Sequence, residues 1–180
     1  MRAVCGPASS RPANLRPIAC ELVKWEDWLR RHPDSRALSF DTGLARDYES
    51  DPYVDYFLSD RLMFPVRTLF DQTEHSHTKW EAKEPVLAVQ VGSKTRVYPF
   101  SELRLGIGED GVLRDWIDGE SFMITFDEES GAARAELQSK GARTFSTAYS
   151  FWFAWQSLQK DYEVFEAGQG RHESANPQVE

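Results

Sequence analysis

Cysteine is scarce in this 180-residue sequence, which contains only Cys5 and Cys20. Two thiols allow at most one bridge, and this excludes the dense disulfide framework typical of small secreted domains. The pair also lacks the Cys-x-x-Cys spacing of structural zinc sites. We therefore expect two unpaired thiols.

Long apolar runs are also missing. The longest, such as Val86 to Val91, are the length of a strand, whereas a membrane-spanning helix needs ~20 apolar residues. The first residues reach Pro7 without the apolar core of a secretory signal. The sequence as written therefore predicts a cytoplasmic protein with no membrane span, with export as the alternative if the natural N-terminus is missing.

Positive charge is in deficit, since 29 acidic residues outnumber 21 basic ones and the net charge is -8. The basic residues are scattered, whereas nucleic acids and anionic membranes require a continuous positive surface. We therefore expect neither as a partner. An unidentified small molecule or protein remains as the partner class, and a homo-oligomer is an open alternative.

Apolar and aromatic residues are abundant, at 41% and 13% of the chain, with six Trp and eleven Phe. That composition is typical of a folded protein rather than a disordered one. The beginning is rich in proline and the end is polar, and both features indicate loose termini. We expect a flexible leader over residues 1–18, a single domain over 19–167 and a disordered tail over 168–180.

The apolar spacing predicts an α+β fold, predominantly antiparallel β-sheet with two short amphipathic helices. Helical periodicity places one helix from Glu21 to Arg31, ending near His32 because a residue before proline avoids helical geometry, and another from Ala148 to Gln159. Runs rich in Val, Tyr and Phe around turn residues predict strands and hairpins. The predicted strands are 37–40, 86–91, 94–100 with Pro99 at its end, 121–126, 132–137 and 162–165.

The two helix and strand units resemble each other. Trp25-x-x-Trp28, Asp34 and the apolar pair at 37–38 match Trp152-x-x-Trp155, Asp161 and the pair at 164–165, at a constant offset of 127 residues. Such an offset predicts an internal repeat. The four tryptophans are expected to be core anchors, because each can bury ~150 to 250 Å².

Several longer motifs carry a family resemblance. They are Trp25-x-x-Trp28-x-x-x-His32-Pro33-Asp34, Asp41-Thr42-Gly43-x-x-Arg46-Asp47-Tyr48-x-x-Asp51-Pro52-Tyr53-x-x-Tyr56, Ser59-Asp60-Arg61-Leu62-Met63-Phe64-Pro65-Val66, Lys83-Glu84-Pro85-Val86-Leu87-x-Val89 and Phe151-Trp152-Phe153-Ala154-Trp155. Through them the chain from Ala19 to Ala167 resembles the C-terminal half of proteins in the domain of unknown function 3179 (DUF3179) family.

The resemblance implies little about function, because the family name records none. Its members are typically longer bacterial or archaeal proteins, often exported, with a Cys-Pro-x-Cys-Gly-type segment in their earlier portion. No residue here matches that segment, so the resemblance transfers no redox or metal role. Residues 67–82 and 104–118 depart from the family pattern, as expected of a divergent or N-terminally truncated member.

The densest polar set lies between Asp41 and Arg61. Carboxylates at short spacing can ligate a hard cation or share acid and base roles. Asp-Thr-Gly and Asp-Pro also form turns, and Arg-Asp pairs hold loops together, so a structural loop is the alternative. The candidate ligand-binding residues are Asp41, Arg46, Asp47, Tyr48, Asp51, Tyr53, Asp60 and Arg61.

Other catalytic patterns are incomplete. His75 and His77 offer two imidazoles on one side of an extended segment, but two ligands do not make a metal site and solvated loop histidines have the same spacing. No Gly-x-Ser-x-Gly elbow is present, and Gly106-x-Gly108 lacks the third glycine of a dinucleotide motif. The sequence therefore predicts no cofactor and leaves the catalytic residues, if any, unknown.

Two functions stay open at the level of sequence. The leading hypothesis is a non-catalytic ligand- or partner-binding, or structural, module. The alternative is a metal-dependent or acid-base hydrolase that uses the Asp41 to Asp60 carboxylates with His75 and His77.

Overall fold

The computed structural model describes residues 18–51, 53–62, 79–138 and 144–168. Four expectations fall wholly or mainly outside these ranges: the flexible leader, the disordered tail, the thiol of Cys5 and the histidines His75 and His77. Cys20 is a free thiol, as expected.

Four short helices and seven strands make up the described structure, which confirms the α+β class. The helices are α1 (Trp25–Arg31), α2 (Val54–Phe57), α3 (Phe100–Gly106) and α4 (Trp152–Leu158). The strands are β1 (Pro85–Val91), β2 (Lys94–Pro99), β3 (Val112–Ile117), β4 (Glu120–Asp127), β5 (Ala132–Leu137), β6 (Phe145–Phe151) and β7 (Glu163–Val164).

The strands form two sheets. One has the order β6-β1-β2-β7 and the other is the meander β3-β4-β5. All pairs are antiparallel except the short parallel pairing of β7 with β2. The sheets are therefore mostly antiparallel, as the sequence predicts.

The β1–β2 hairpin is the centre of the domain. Its turn needs a positive φ, which Gly92 supplies at 59°. Strand β1 is paired along both edges, with β2 and with β6, and both of its faces are covered by core residues. Leu87, Val89 and Val91 point into the larger core cluster shared with the second sheet, whereas Val86 and Ala88 point into a smaller one.

The smaller core cluster receives helix α4. Trp152 is 1% exposed and packs with Val86, Ala88 and Val97. Its ring meets the Trp80 ring edge-on, with centroids 4.9 Å apart. The first turn of α4 is also held by the chain before β1, because the Trp152 N–H donates to the Glu84 carbonyl at 2.8 Å.

Several predicted elements are confirmed. Both hairpins form, at 92–93 and around residues 127–131, and Pro99 ends β2. Helix α1 ends at His32, directly before Pro33, although it begins at Trp25 rather than Glu21. The predicted strand at 162–165 shortens to β7.

Other predictions are wrong. Residues 37–40 form no strand, because nothing described pairs with them. The predicted helix from Ala148 begins only at Trp152, since residues up to Phe151 complete the antiparallel ladder with β1. Strand β3 and helix α3 were missed. Trp25 is not a core anchor, because it is 49% exposed.

Candidate interaction surface

The first described part of the chain, residues 18–62, differs from the rest in its burial, and we call it the N-terminal arm. None of its described residues is buried. Of the thirteen large apolar residues exposed in the described structure, only Leu105 and Leu158 lie outside the arm. The other eleven are Ile18, Leu22, Trp25, Leu38, Phe40, Leu44, Tyr48, Tyr53, Val54, Phe57 and Leu58.

Helix α1 is amphipathic, and both charged and apolar side chains of this segment lie toward the body of the protein. Asp27 and Arg31 line a groove of about 280 Å³ between α1 and strands β4 and β5, together with Glu21 just before the helix. Glu21 and Asp27 keep only 18% and 19% of their side chains exposed. Leu22 and Trp25 are 68% and 49% exposed. Trp28 and Leu29 are half-buried, so the apolar side of this segment is only partly covered.

The groove beneath α1 does not offer a net charge to a ligand. Its basic residues Arg30, Arg31 and Arg134 are matched by Glu21, Asp27 and Asp127. Arg31 Nη1 lies 3.0 Å from Glu21 Oε1, and Arg30 Nη1 lies 3.0 Å from Asp27 Oδ1. Arg31 donates a hydrogen bond to Glu21, and this bond is the main cause of the raised pKa of Arg31. Both pairs lie within residues 21–31, and the ion pair that reaches the second sheet joins Arg134 Nε on β5 to Glu21 Oε2 at 3.8 Å.

Further polar contacts tie the arm to the body. The Thr147 hydroxyl accepts from the Cys20 backbone N–H at 3.0 Å and donates to the Cys20 carbonyl at 2.6 Å. Lys24 Nζ donates to the Glu129 carbonyl at 3.1 Å. Lys83 Nζ donates to the Tyr56 and Ser59 carbonyls. The arm is therefore held largely through polar groups, while its apolar side chains remain uncovered.

The predicted ligand-binding residues lie along the middle of the arm, and all eight are exposed. Their contacts are local. Asp47 Oδ1 accepts from the N–H groups of Glu49 and Ser50, and Asp51 Oδ1 accepts from the N–H of Tyr53 at 2.8 Å. Hydrogen bonding by the Glu49 N–H, more than by Ser50, lowers the pKa of Asp47.

The structure brings few of these side chains together. Asp51 and Tyr53 share a turn, and Tyr48 hydrogen-bonds Thr42 at 2.8 Å and packs near Phe40. In the part of the chain that the structure describes, neither Arg46 nor Arg61 pairs with a carboxylate. No three His, Cys, Asp or Glu residues of that part are grouped to hold a metal ion. Of the predicted carboxylates, Asp47 and Asp51 therefore act as turn formers.

Two buried polar clusters were not predicted. In the first, Arg96 on β2 pairs with Asp115 on β3 at 2.7 Å and with Glu163 on β7 at 2.7 Å, and Tyr98 Oη donates to Asp115 Oδ2 at 2.7 Å. Burial lowers the pKa of Arg96, but hydrogen bonds to Asp115 and Glu163 outweigh it and the pKa is raised. This cluster joins the two sheets.

The second cluster surrounds Glu102 on α3. Its carboxylate accepts from Lys79 at 2.8 Å, from Trp80 Nε1 at 3.4 Å and from the Ala167 N–H at 2.8 Å. Burial raises the pKa of Glu102, but the hydrogen bonds from Lys79, Ala167 and Trp80 outweigh burial, and the net result is a lowered pKa. No sequence motif signals either cluster, because their members are separated along the chain. Both clusters fasten elements together.

A family model described as "Protein of unknown function (DUF3179)" matches residues 1–162. No curated protein and no solved structure matches the chain. Among the described residues, no helix has the length and apolar character needed to cross a membrane.

Proposed function

This chain belongs to the DUF3179 family, and we propose that it is a non-catalytic partner-binding module whose docking surface is the N-terminal arm. One observation carries the proposal: eleven of the thirteen exposed large apolar residues of the described structure lie in the arm. Exposed apolar residues scattered singly are ordinary, but their concentration in one segment marks an interaction surface.

The orientation of α1 supports the same conclusion. A helix that docks on its own domain buries its apolar side, because each Å² of apolar surface removed from water contributes about 25 cal/mol. Here Leu22 and Trp25 stay 68% and 49% exposed, although the nearby Glu21 and Asp27 are largely covered. Apolar surface of this segment therefore stays exposed in the described chain, and a partner could gain free energy by burying it.

The arm carries aromatic and charged side chains together, as protein–protein interfaces do. Interfaces combine an apolar, aromatic centre with a polar rim. Phe40, Tyr48 and Tyr53 provide exposed aromatic side chains, and Arg46 and Arg61 provide exposed cations on the same segment. The predicted ligand-binding residues are therefore proposed as part of a protein-binding surface.

The alternative of a hydrolase draws no support from the described residues. A general acid or base must lie within hydrogen-bond reach of a bound substrate, in a concave site. The carboxylates from Asp41 to Asp60 are exposed on one segment, and those of Asp47 and Asp51 are occupied by N–H groups of their own turns. His75 and His77 lie outside the described residues.

Photo-crosslinking in living cells tests the proposal. A photoreactive phenylalanine analogue at position 40 samples the arm, and the same analogue at position 105 is the matched control, because Phe40 and Leu105 are 77% and 75% exposed. We expect a discrete crosslinked species from position 40 and none from position 105. A second chain with Leu38→Asp should lose the crosslink.

The proposal fails if position 40 produces no crosslinked protein, or if both positions produce the same set of products. Equal products would mean that the analogue reports nonspecific collision. Circular dichroism of each variant provides the folding control.

A further inference from the structure

We propose that residues 18–38 of the arm bind an antiparallel β-hairpin of the same design as β1–β2, carried by a partner unit. This inference rests on the proposed function, and it names the partner that would bind one part of the arm. It follows from comparing α1 and its flanks with α4 and its flanks.

Helices α1 and α4 correspond residue by residue. Both helices have seven residues and begin with Trp-x-x-Trp. Each end of α4 lies 127 residues after the corresponding end of α1, which is the offset of the sequence match. The residue before each helix is extended, with φ/ψ of -62°/144° at Lys24 and -84°/151° at Phe151. The correspondence thus extends from sequence to backbone geometry.

The surroundings of α4 define what such a unit binds. The strand before it, β6, pairs with β1, and Trp152 packs on Val86, Ala88 and Val97 of the hairpin. After the helix, β7 pairs with β2, and the Phe165 ring stacks on Tyr98 at a centroid distance of 5.3 Å. A strand, a helix and a second strand thus close around one hairpin.

The arm keeps the two tryptophans and an apolar residue at position 38, but no hairpin covers them. Trp25, the counterpart of Trp152, is 49% exposed, and Leu38, the counterpart of Phe165, is 98% exposed. Residues 18–24 and 36–37, which correspond to β6 and β7, belong to no sheet among the described residues. The uncovered residues are those whose counterparts contact β1 and β2.

The hairpin must therefore offer three features. It needs a free strand edge for residues 18–24, a face of small apolar side chains for Trp25, and a second edge for residues 36–37. A second folded copy of this chain does not offer them, because β1 is paired on both edges and Trp152 already covers Val86 and Val97. The partner is a unit whose hairpin lacks its own closing helix.

One contact indicates how the two units would be arranged. Cys20 and Thr147 are counterparts at the same 127-residue offset, and they are hydrogen-bonded to each other. Contact between equivalent residues is the signature of an approximate two-fold axis. The partner hairpin would thus lie on the opposite side of β6 from β1.

Insertion of a second copy of the β1–β2 hairpin, with the residues around it, into the full chain tests the inference. A duplicate of residues 79–144 is placed directly before Ile18, so that residues 18–38 follow it as residues 145–165 follow the original. Covalent attachment is preferable to a free peptide, because an isolated hairpin is marginally stable and tethering raises its effective concentration. Amide hydrogen exchange is then measured by mass spectrometry.

We expect exchange of residues 18–24 to slow by about tenfold or more, since a strand in a ladder opens far less often than an unpaired segment. The matched control carries Val86→Asp and Val97→Asp in the duplicate only, and should give no protection. Equal protection by both insertions, no protection by the intact one, or an unfolded duplicate would each overturn the inference.

Light scattering of the unmodified chain tests the competing occupant. We expect the unmodified chain and the Trp25→Asp variant to have the same molar mass in solution. A dimer that Trp25→Asp dissociates would instead assign the surface to a second copy. Failure here or in the insertion experiment leaves the proposed function intact, because crosslinking from Phe40 does not depend on the hairpin.

Discussion

The hydroxyl of Thr147 on β6 bonds both backbone groups of Cys20, accepting from its N–H and donating to its carbonyl. One side chain thereby replaces part of a strand ladder, and it holds the start of the arm beside the edge of the sheet. The arm is attached at that point without burying its apolar residues.

Thr147→Val should loosen the arm while leaving the sheet intact. Loss of two hydrogen bonds to a partly buried backbone costs about 1 to 3 kcal/mol, and most of that loss should appear as faster amide exchange of residues 18–24. Thr125→Val, at an exposed position of β4, is the control. Unchanged exchange in Thr147→Val would contradict the assigned role of the hydroxyl.

Trp152→Ala and Trp25→Ala should differ sharply in stability. Truncation of a fully buried Trp costs about 3 to 5 kcal/mol, whereas Trp25 is half exposed and should cost about 1 kcal/mol or less. Urea denaturation followed by circular dichroism measures both. Comparable losses would mean that Trp25 is buried in solution.

Asp115→Ala should destabilise the protein more than Glu163→Ala, although both remove a partner of Arg96. The Asp115 carboxylate is 12% exposed and also binds Tyr98, so its loss leaves buried donors unpaired at a cost of about 3 kcal/mol. Glu163 is 66% exposed, so its loss should cost about 1 kcal/mol or less. The free energies of unfolding of the two variants provide the comparison, which fails if Glu163→Ala is the more damaging.

Glu102 should make stability depend on acid pH. Its pKa is lowered in the folded protein, so the folded state favours the carboxylate more than the unfolded chain does. The stabilisation is complete above the ordinary glutamate pKa and is lost as pH falls through the lowered value. Glu102→Gln should therefore be less stable than wild type at neutral pH, and the gap should narrow in acid. The exposed Glu109→Gln is the control, and a pH-independent gap would refute the prediction.

Local patterns were enough for the hairpins. The runs at 86–91 and 94–100 and their Gly-Ser turn predicted β1 and β2 to within one residue at each end, because turn chemistry and alternation are local properties. The boundary between β6 and α4 could not be predicted in the same way. Residues 148–151 have apolar spacing compatible with a helix, and pairing with β1, which is distant in sequence, makes them a strand.

The candidate ligand-binding residues stay a prediction. The motif from Asp41 to Arg61 drew attention to the arm, where the exposed apolar residues lie. Its carboxylates bond to nearby backbone groups, and the Arg-Asp pairs expected there do not form in the described segment. Side-chain partners at a distance, such as Arg96 with Asp115, leave no spacing signal in a sequence.

The sequence by itself determined the α+β class, the central hairpin and the 127-residue correspondence between Trp25 and Trp152, because each of these depends on residue spacing along the chain. Tertiary structure decided which tryptophan is buried. Trp152 follows a strand that pairs with β1 and so reaches the apolar face of the hairpin, whereas Trp25 follows a segment that is held by the Thr147 hydroxyl and pairs with no strand of the described structure.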